Sequence, residues 1–224
     1  MTPVVIQGVS YLSDFEAKKA IIATAARLEA KGHLVAGDGS LSVRVGPNAV
    51  WVTVDGADKA ALTQEMLVRV DLNGRQMASA HPKPLGEDIA AHLKLYRENE
   101  TIQSVLHAYP VCAAVLGMQG RGVEPACFSP AVRALGRMQL LPAQSPESLA
   151  ETVGRLSRTD RGVLLQNDGC MTWGKTPAEA AQMLSALDHY CRVMARLGEK
   201  PCSPGCSCGR ARSGTACRQG PRRI

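Results

Sequence analysis

Strand-like and helix-like stretches alternate along most of this chain, and this order limits the fold more than any other feature. Apolar and polar residues alternate at 41–45 and again at 50–54, on either side of Gly46-Pro47-Asn48, which predicts a β-hairpin. A helix is predicted before it, because Ser13-Asp-Phe-Glu16 forms a capping box and apolar residues then recur at helical spacing until Gly32. Helices that alternate with paired strands predict a sheet covered by helices on both faces.

The remaining elements follow the same mixed order. Further strands are predicted at 67–72, 105–109, 163–166 and 170–173, and further helices at 87–99, 111–118, 146–157 and from a capping box at 176–179 to about residue 198. Glu87 is then expected on the first turn of its helix, where a carboxylate also interacts favourably with the helix dipole. His92, one turn further on, is interpreted as a packed or hydrogen-bonded histidine rather than a ligand.

Composition predicts one soluble domain. The chain has 224 residues, of which 45% are hydrophobic and 21% charged, enough to bury a substantial core. No segment approaches the roughly 20 apolar residues that a bilayer span needs, and residues 1–12 have no basic start or sustained apolar stretch. We therefore expect a cytoplasmic protein without a membrane partner.

The net charge of +6 belongs to the carboxy-terminal end of the chain. Residues 200–224 contain six basic and no acidic residues, which leaves 20 basic and 20 acidic residues in 1–199. The body therefore offers no basic surface of the kind that binds nucleic acid. We predict one domain over residues 1–198 and a disordered, Cys/Arg-rich tail over 199–224.

Two interpretations of the tail cysteines stay open. Cys202, Cys206, Cys208 and Cys217 could together hold zinc or an iron–sulphur cluster. Their spacing lacks the usual paired C-x2-C, however, and the surrounding Ser, Gly, Pro and Arg are typical of disorder. The cysteines of the body are interpreted as small buried hydrophobic residues.

Several segments of the body resemble the class II aldolase/adducin family. Lys83-Pro-Leu-Gly-Glu87, His107-Ala-Tyr109 and Asn167-Asp-Gly169 are similar, in order and spacing, to that family's K-P-S-S-E, H-x-H and N-H-G. Gly39-Ser-Leu-Ser-Val-Arg44 resembles G-N-x-S-x-R, and Val52-Thr-Val-Asp-Gly56 resembles I-T-P-S-G. The resemblance implies an α/β/α sandwich with a mostly antiparallel central sheet, and a homotetramer with sites between subunits.

The resemblance also implies a metal site, but a degenerate one. In the family three histidines hold zinc or a similar divalent ion and the glutamate moves a proton, which here assigns His107, Tyr109 and Asp168 to the metal and Glu87 to catalysis. Two imidazoles are missing, and a phenol with an ordinary pKa of about 10 must lose its proton before it binds a metal well. We therefore predict no cofactor.

Two other interpretations of the same residues stay open. An oxygen-rich set of His107, Asp168 and Tyr109 could bind magnesium, manganese or iron in preference to zinc. Alternatively, Asp168 is only a turn residue and Tyr109 only fills space.

The residues that anchor a substrate phosphate in the family are also altered. Ser40, Leu85 and Gly86 stand where the family has Asn, Ser and Ser, whereas Thr53 and Gly56 are retained. Ser40, Thr53, Gly56 and Lys83 are the candidate substrate-binding residues. Leu85 removes a hydrogen-bond donor, which weakens specificity for a phosphate.

Three functions follow as hypotheses. The preferred one is a family member that has lost sugar-phosphate lyase activity and acts as a binding or assembly subunit, with a small-molecule ligand possible. The alternative is a metal-dependent aldehyde-lyase or epimerase on a small hydroxy-carbonyl substrate, with Glu87 as base and zinc, manganese, magnesium or iron in a rebuilt site. The third makes the tail the functional element, through its thiols and arginines.

Overall fold

A seven-stranded sheet forms the centre of the protein in the computed structural model, which describes residues 4–6, 9–77, 83–123, 134–135 and 138–198. Its strand order is β5-β4-β3-β6-β9-β8-β7, and every neighbouring pair is antiparallel except β7 with β8. The strands are β3 (Ser40–Gly46), β4 (Ala49–Thr53), β5 (Leu67–Val70), β6 (Ser104–Ala108), β7 (Gln139–Leu141), β8 (Gly162–Leu165) and β9 (Cys170–Gly174). A separate hairpin pairs β1 (Val4–Ile6) with β2 (Val9–Tyr11).

Helices cover both faces of this sheet. They are α1 (Asp14–Glu29), α2 (Ile89–Glu98), α3 (Val111–Met118), α4 (Pro146–Leu156) and α5 (Pro177–Gly198). Helices α1, α3 and α5 share one buried apolar cluster, and α2 and α4 share the other. The predicted α/β/α sandwich with a mostly antiparallel sheet is therefore confirmed.

Helix α1 begins where the capping box predicts. The Ser13 hydroxyl accepts from the Glu16 amide at 3.3 Å, and the Glu16 carboxylate accepts from the Ser13 amide at 3.2 Å. Its predicted inner face, Ala17, Ile21, Ala25 and Leu28, is fully buried. Within the part of the chain described, no helix is both long and apolar enough to cross a bilayer.

Two predicted boundaries near the cleft were wrong. Helix α2 begins at Ile89 rather than at Glu87, because a turn closes from the Ile89 amide to the Gly86 carbonyl at 3.1 Å, so Glu87 precedes the helix. Strand β6 ends at Ala108, one residue early. Pro110 follows with no amide to donate, and the Tyr109 amide donates to the His33 carbonyl at 2.7 Å instead of to a strand. Tyr109 therefore lies beyond the strand.

The prediction of buried body cysteines is confirmed for two of the three that the structure describes. Cys170 and Cys191 are fully buried, and Cys112 is partly buried. Cys127 and the tail thiols Cys202, Cys206, Cys208 and Cys217 lie outside the described residues.

Candidate functional site

The three segments that carry the resemblance meet in one cleft of ≈ 350 Å³. The ends of β3 and β6, the turn before α2 and the β8–β9 turn form its walls. The lining residues are Asp38, Gly39, Ser40, Thr53, Val54, Asp55, Gly86, Glu87, Asp88, His107, Tyr109 and Asp168. The cleft thus contains the predicted catalytic and metal residues together with two of the predicted substrate-binding residues, Ser40 and Thr53.

The other two predicted substrate-binding residues do not line the cleft. Gly56 lines a separate cavity that it shares with Gly37 and Asp58. The Lys83 ammonium donates to the Glu65 carbonyl instead of facing the cleft. Their predicted role in substrate binding therefore gains no support from their positions.

His107 is held between two oxygen acceptors. Its Nδ1 lies 2.9 Å from a carboxylate oxygen of Asp88, and its Nε2 lies 2.9 Å from the main-chain oxygen of Asp168. Neither oxygen can donate a hydrogen bond, so both ring nitrogens carry protons and the ring is an imidazolium. Burial lowers the pKa of His107, but the hydrogen bond and charge of Asp88, aided by Asp168, outweigh it and raise that pKa above its ordinary value.

Asp88 is the functional residue that the sequence analysis missed. Burial raises its pKa, but the hydrogen bond from His107, the charges of His92 and His107 and the hydrogen bond from Ser40 together hold the pKa far below its usual range. Asp88 is therefore ionised and forms an ion pair with His107. The available signal was its position: it follows Glu87 directly, so two consecutive carboxylates precede the helix.

A buried chain of hydrogen bonds runs from Asp88 into the protein. The Ser40 hydroxyl donates to Asp88 and lies 2.9 Å from His92 Nε2, while Ser42 lies 2.8 Å from His92 Nδ1 and 2.7 Å from the Tyr96 hydroxyl. Burial lowers the pKa of His92 to about 4, so the ring is neutral, donating to Ser40 and accepting from Ser42. The interpretation of His92 as a hydrogen-bonded histidine is confirmed.

Tyr109 adds a phenol to the same cleft. Its ring centroid lies 4.9 Å from that of His107, with the two rings inclined at 47°. Burial and the nearby carboxylates of Asp168, Asp88 and Asp38 raise the pKa of Tyr109. The phenol therefore keeps its proton at neutral pH.

Carboxylates dominate the electrostatics of the cleft. Among the residues that the structure describes, five acidic ones line it, namely Asp38, Asp55, Glu87, Asp88 and Asp168, and His107 is the single basic one. Lys59 lies nearby but is buried, donating to the carbonyls of Gly37 at 2.6 Å and Ala57 at 2.9 Å. The cleft consequently has a negative potential, which favours cationic or neutral ligands over anions.

Comparison with known proteins agrees with this fold and this order of segments. The family model for the class II aldolase and adducin N-terminal domain matches residues 19–195. The chain therefore belongs to the class II aldolase and adducin family.

Its relatives in this family are enzymes. The chain is 26% identical over 198 residues to a 3-oxo-tetronate 4-phosphate decarboxylase of Haemophilus influenzae, covering 84% of this chain and 92% of that protein. It is 29% identical over 182 residues to a methylthioribulose-1-phosphate dehydratase of Xylella fastidiosa, covering 75% and 83%. The crystal structure of an L-fuculose-1-phosphate aldolase from Thermus thermophilus has a similar fold, with a TM-score of 0.73 at 24% identity over 84% of this chain and 99% of that one.

Members of this family typically depend on a metal, and the residues of this cleft do not fit one. Both lone-pair positions of the His107 ring are protonated, the Tyr109 phenol is neutral, and Asp168 is a half-exposed carboxylate 3.7 Å from His107 Nε2. A catalytic zinc ordinarily has three protein ligands. Across the residues that the structure describes, no group of three or more His, Cys, Asp or Glu side chains is arranged to hold an ion.

Proposed function

We propose that this chain is a class II aldolase-family protein without the three-histidine metal centre and without sugar-phosphate lyase activity, and that it acts as a binding or assembly subunit. The observation that carries the proposal is the engagement of both His107 nitrogens, by Asp88 and by the Asp168 carbonyl. An imidazole bound in this way has no lone pair to offer a metal. Without a metal, an enediolate loses several kcal/mol of stabilisation, which removes the usual basis of the lyase reaction.

The charge of the cleft supports a ligand class different from that of the relatives. Five carboxylates line the cleft, and Lys83 does not. Leu85, at a position where the family has a serine, packs against the apolar cluster of α2 and α4. A phosphate dianion would face repulsion with few donors to offset it. We infer that the ligand is a small hydroxylated molecule, neutral or cationic, which the hydroxyls of Thr53 and Tyr109 and the carboxylates bind.

One observation favours the alternative, a metal-dependent aldehyde-lyase or epimerase. A histidine that binds a metal usually donates its other ring nitrogen to a carboxylate, and Asp88 holds His107 Nδ1 in this way. If His107 Nε2 lost its proton, Asp168 and Tyr109 would be the neighbouring ligands and Glu87 the base. The two candidates therefore differ in one measurable quantity, the metal content of the purified protein.

The test is elemental analysis of full-length protein in which the four tail cysteines are replaced by serine, so that only the cleft is probed. The matched variant adds Tyr109→His and Asp168→His, which restores three histidines on the same backbone. We expect well below one equivalent of zinc, manganese or iron in the parent. The histidine-restored variant should hold about one equivalent of zinc, because two added imidazoles let the ion displace the Nε2 proton of His107 while Asp88 keeps the Nδ1 proton.

The aldol cleavage of L-fuculose 1-phosphate is measured on the same two proteins. The parent is expected to be inactive. One equivalent of metal in the parent, lost on His107→Ala together with a measurable lyase activity, would establish the alternative and refute the proposal.

A further inference from the structure

A second cavity, of ≈ 360 Å³, is lined by Val111, two residues after the Tyr109 that lines the cleft. The end of α1, the start of α3 and the last turns of α5 surround it. Among its lining residues are Lys31, His33, Val111, Asp188, Arg192 and Arg196, and we call it the basic pocket. None of these residues belongs to the cleft described above.

The charge of the basic pocket is opposite to that of the cleft. Asp188, Arg192 and Arg196 follow one another at four-residue spacing, which places them on one face of α5. Arg192 Nε lies 2.9 Å from the Asp188 carboxylate, so those two charges cancel. Lys31 and Arg196 then remain, because three basic residues and one acidic residue leave two positive charges in the lining. An excess of two positive charges among the described lining residues of a concave site attracts an anion.

The buried side chain of His33 is a second, independent indication of a ligand in the basic pocket. Its side chain is 2% exposed, yet neither ring nitrogen makes a hydrogen bond with any residue that the structure describes. Its Nε2 lies 3.4 Å from the Asp188 carboxylate, within reach of an ion pair but without hydrogen-bond geometry. Buried polar groups nearly always have a hydrogen-bond partner. His33 lines the pocket, and a ligand there can supply the partner that Nδ1 in particular lacks among the described residues.

The start of α3 adds donors at the same place. Val111 is the first residue of α3 and lines the pocket together with Cys112. The first amides of a helix have no acceptor within it, and they carry the positive end of the helix dipole. Two cations, a histidine and the first two residues of α3 therefore line one cavity.

We propose that the basic pocket binds an oxyanion, the phosphate or carboxylate group of a small metabolite. Lys31 and Arg196 supply the charge, and His33 and the α3 amides supply directional hydrogen bonds. The cavity exceeds the size of a bare ion and falls at the lower end of the range of small-molecule sites, about 300–1,000 Å³. This site is separate from the cleft, so it does not depend on the function proposed above.

The test uses full-length protein titrated at pH 7 with inorganic phosphate and, separately, with acetate, the ionic strength being held constant with chloride. Affinity is measured by calorimetry, and the imidazole proton resonances are followed by NMR. The chain has five histidines, so the His33 signals can be assigned with His33→Gln. We expect saturable binding, with the His33 signals shifting along the same binding curve. The tighter of the two probes identifies the oxyanion.

The pocket variant is Lys31→Met/Arg196→Met, and its matched control is Lys19→Met/Arg155→Met. All four residues are exposed, and each pair removes two positive charges, but only the first pair lines the pocket. The basic residues of segment 199–224 are present in both variants and contribute equally. We expect affinity to fall at least about tenfold in the pocket variant and to stay within about twofold of the wild type in the control.

Three results would overturn the proposal. They are equal affinities in the pocket variant and its control, a titration that does not saturate, and His33 resonances that stay unchanged while the protein binds the probe. The NMR measurement uses the wild type, so the proposal remains testable even if the pocket variant fails to fold.

Discussion

Asp88 organises the chemistry of the cleft. This one carboxylate accepts hydrogen bonds from His107 and Ser40, and His92 Nε2 lies 3.7 Å from it. Its charge favours the protonated form of His107. In the function proposed above, a protonated His107 and the Tyr109 and Asp168 that stand where the family has histidines together disfavour a metal at this site.

The first prediction concerns the ionisation of His107. Asp88→Asn should lower the pKa of His107, because the carboxylate that stabilises the imidazolium is removed. Asp168→Asn is the matched control, since His107 bonds the main-chain oxygen of Asp168 and only approaches its carboxylate, at 3.7 Å. NMR titration of the His107 resonances should show the larger fall in Asp88→Asn. Equal pKa values in the wild type and Asp88→Asn would contradict this account.

The ion pair between Asp88 and His107 makes the free energy of unfolding depend on pH. The folded-state pKa of His107 is raised above 6.5, so its contribution is complete below pH 6.5 and is lost as pH rises through the raised value. The folded-state pKa of Asp88 is lowered from 3.8, so its contribution is present above pH 3.8 and is lost on acidification through the lowered value.

Urea unfolding tests this pH window. At pH 5.5, Asp88→Asn should reduce the free energy of unfolding by about 3 kcal/mol, because it breaks a buried ion pair. Above the raised pKa of His107, which the NMR titration locates, the reduction should be smaller, since His107 has then lost its proton in the wild type as well. A reduction that is the same on both sides of the measured pKa of His107 would show that the pair carries no charge.

At the scale of elements, the β8–β9 turn places Asp168 against the end of β6. Asn167 and Gly169 both have positive φ, at 65° and 67°. Any Cβ at Gly169 would overlap the Ala108 carbonyl oxygen and lie 2.8 Å from Tyr109 Cδ1. The glycine therefore allows the turn to approach the strand end closely enough for the Asp168 carbonyl to meet His107.

This close approach predicts unequal effects of the same substitution at two glycines. Gly120 has a φ of 69°, like Gly169, but a Cβ there would meet no atom within 4 Å. Gly120→Ala should cost about 1 kcal/mol from backbone strain alone, and Gly169→Ala about 2 kcal/mol more from overlap. Urea unfolding of both variants measures the difference. Equal losses would mean that the turn moves away from β6 at little cost.

At the scale of the whole molecule, the surface of α3 bears on assembly. Val111, Val115 and Met118 recur at helical spacing, and their exposed fractions are 69%, 38% and 66%. Members of this family are generally tetramers. An exposed apolar stripe of this kind is typical of an interaction surface.

We therefore predict a homotetramer in solution. Light scattering coupled to size-exclusion chromatography should give four times the chain mass of 23.8 kDa. The mass should remain constant on dilution into the low micromolar range, as expected for an obligate assembly. A single-chain mass at all concentrations would contradict this prediction and with it the role of an assembly subunit.

Local sequence was sufficient for most of the fold. Capping boxes, alternation and helical spacing depend on residues within a few positions of one another, so the opening helix, the β3–β4 hairpin and the β8–β9 turn could be predicted from short segments. The ordered motifs also brought Glu87, His107, Tyr109 and Asp168 into one candidate site, and all four line one cleft. The strands β1, β2 and β7 were not predicted, because each has only three residues.

Tertiary structure alone decided which groups meet. A turn of two residues before α2 determines that Asp88 hydrogen-bonds to His107 and that Glu87 is exposed, although the two residues are adjacent in sequence. The protonation of His107 and the acidity of the cleft likewise depend on residues brought together from five separate segments. Sequence determined the elements because backbone preferences are local. Structure decided the chemistry because pKa values depend on distances in space between residues far apart in the chain.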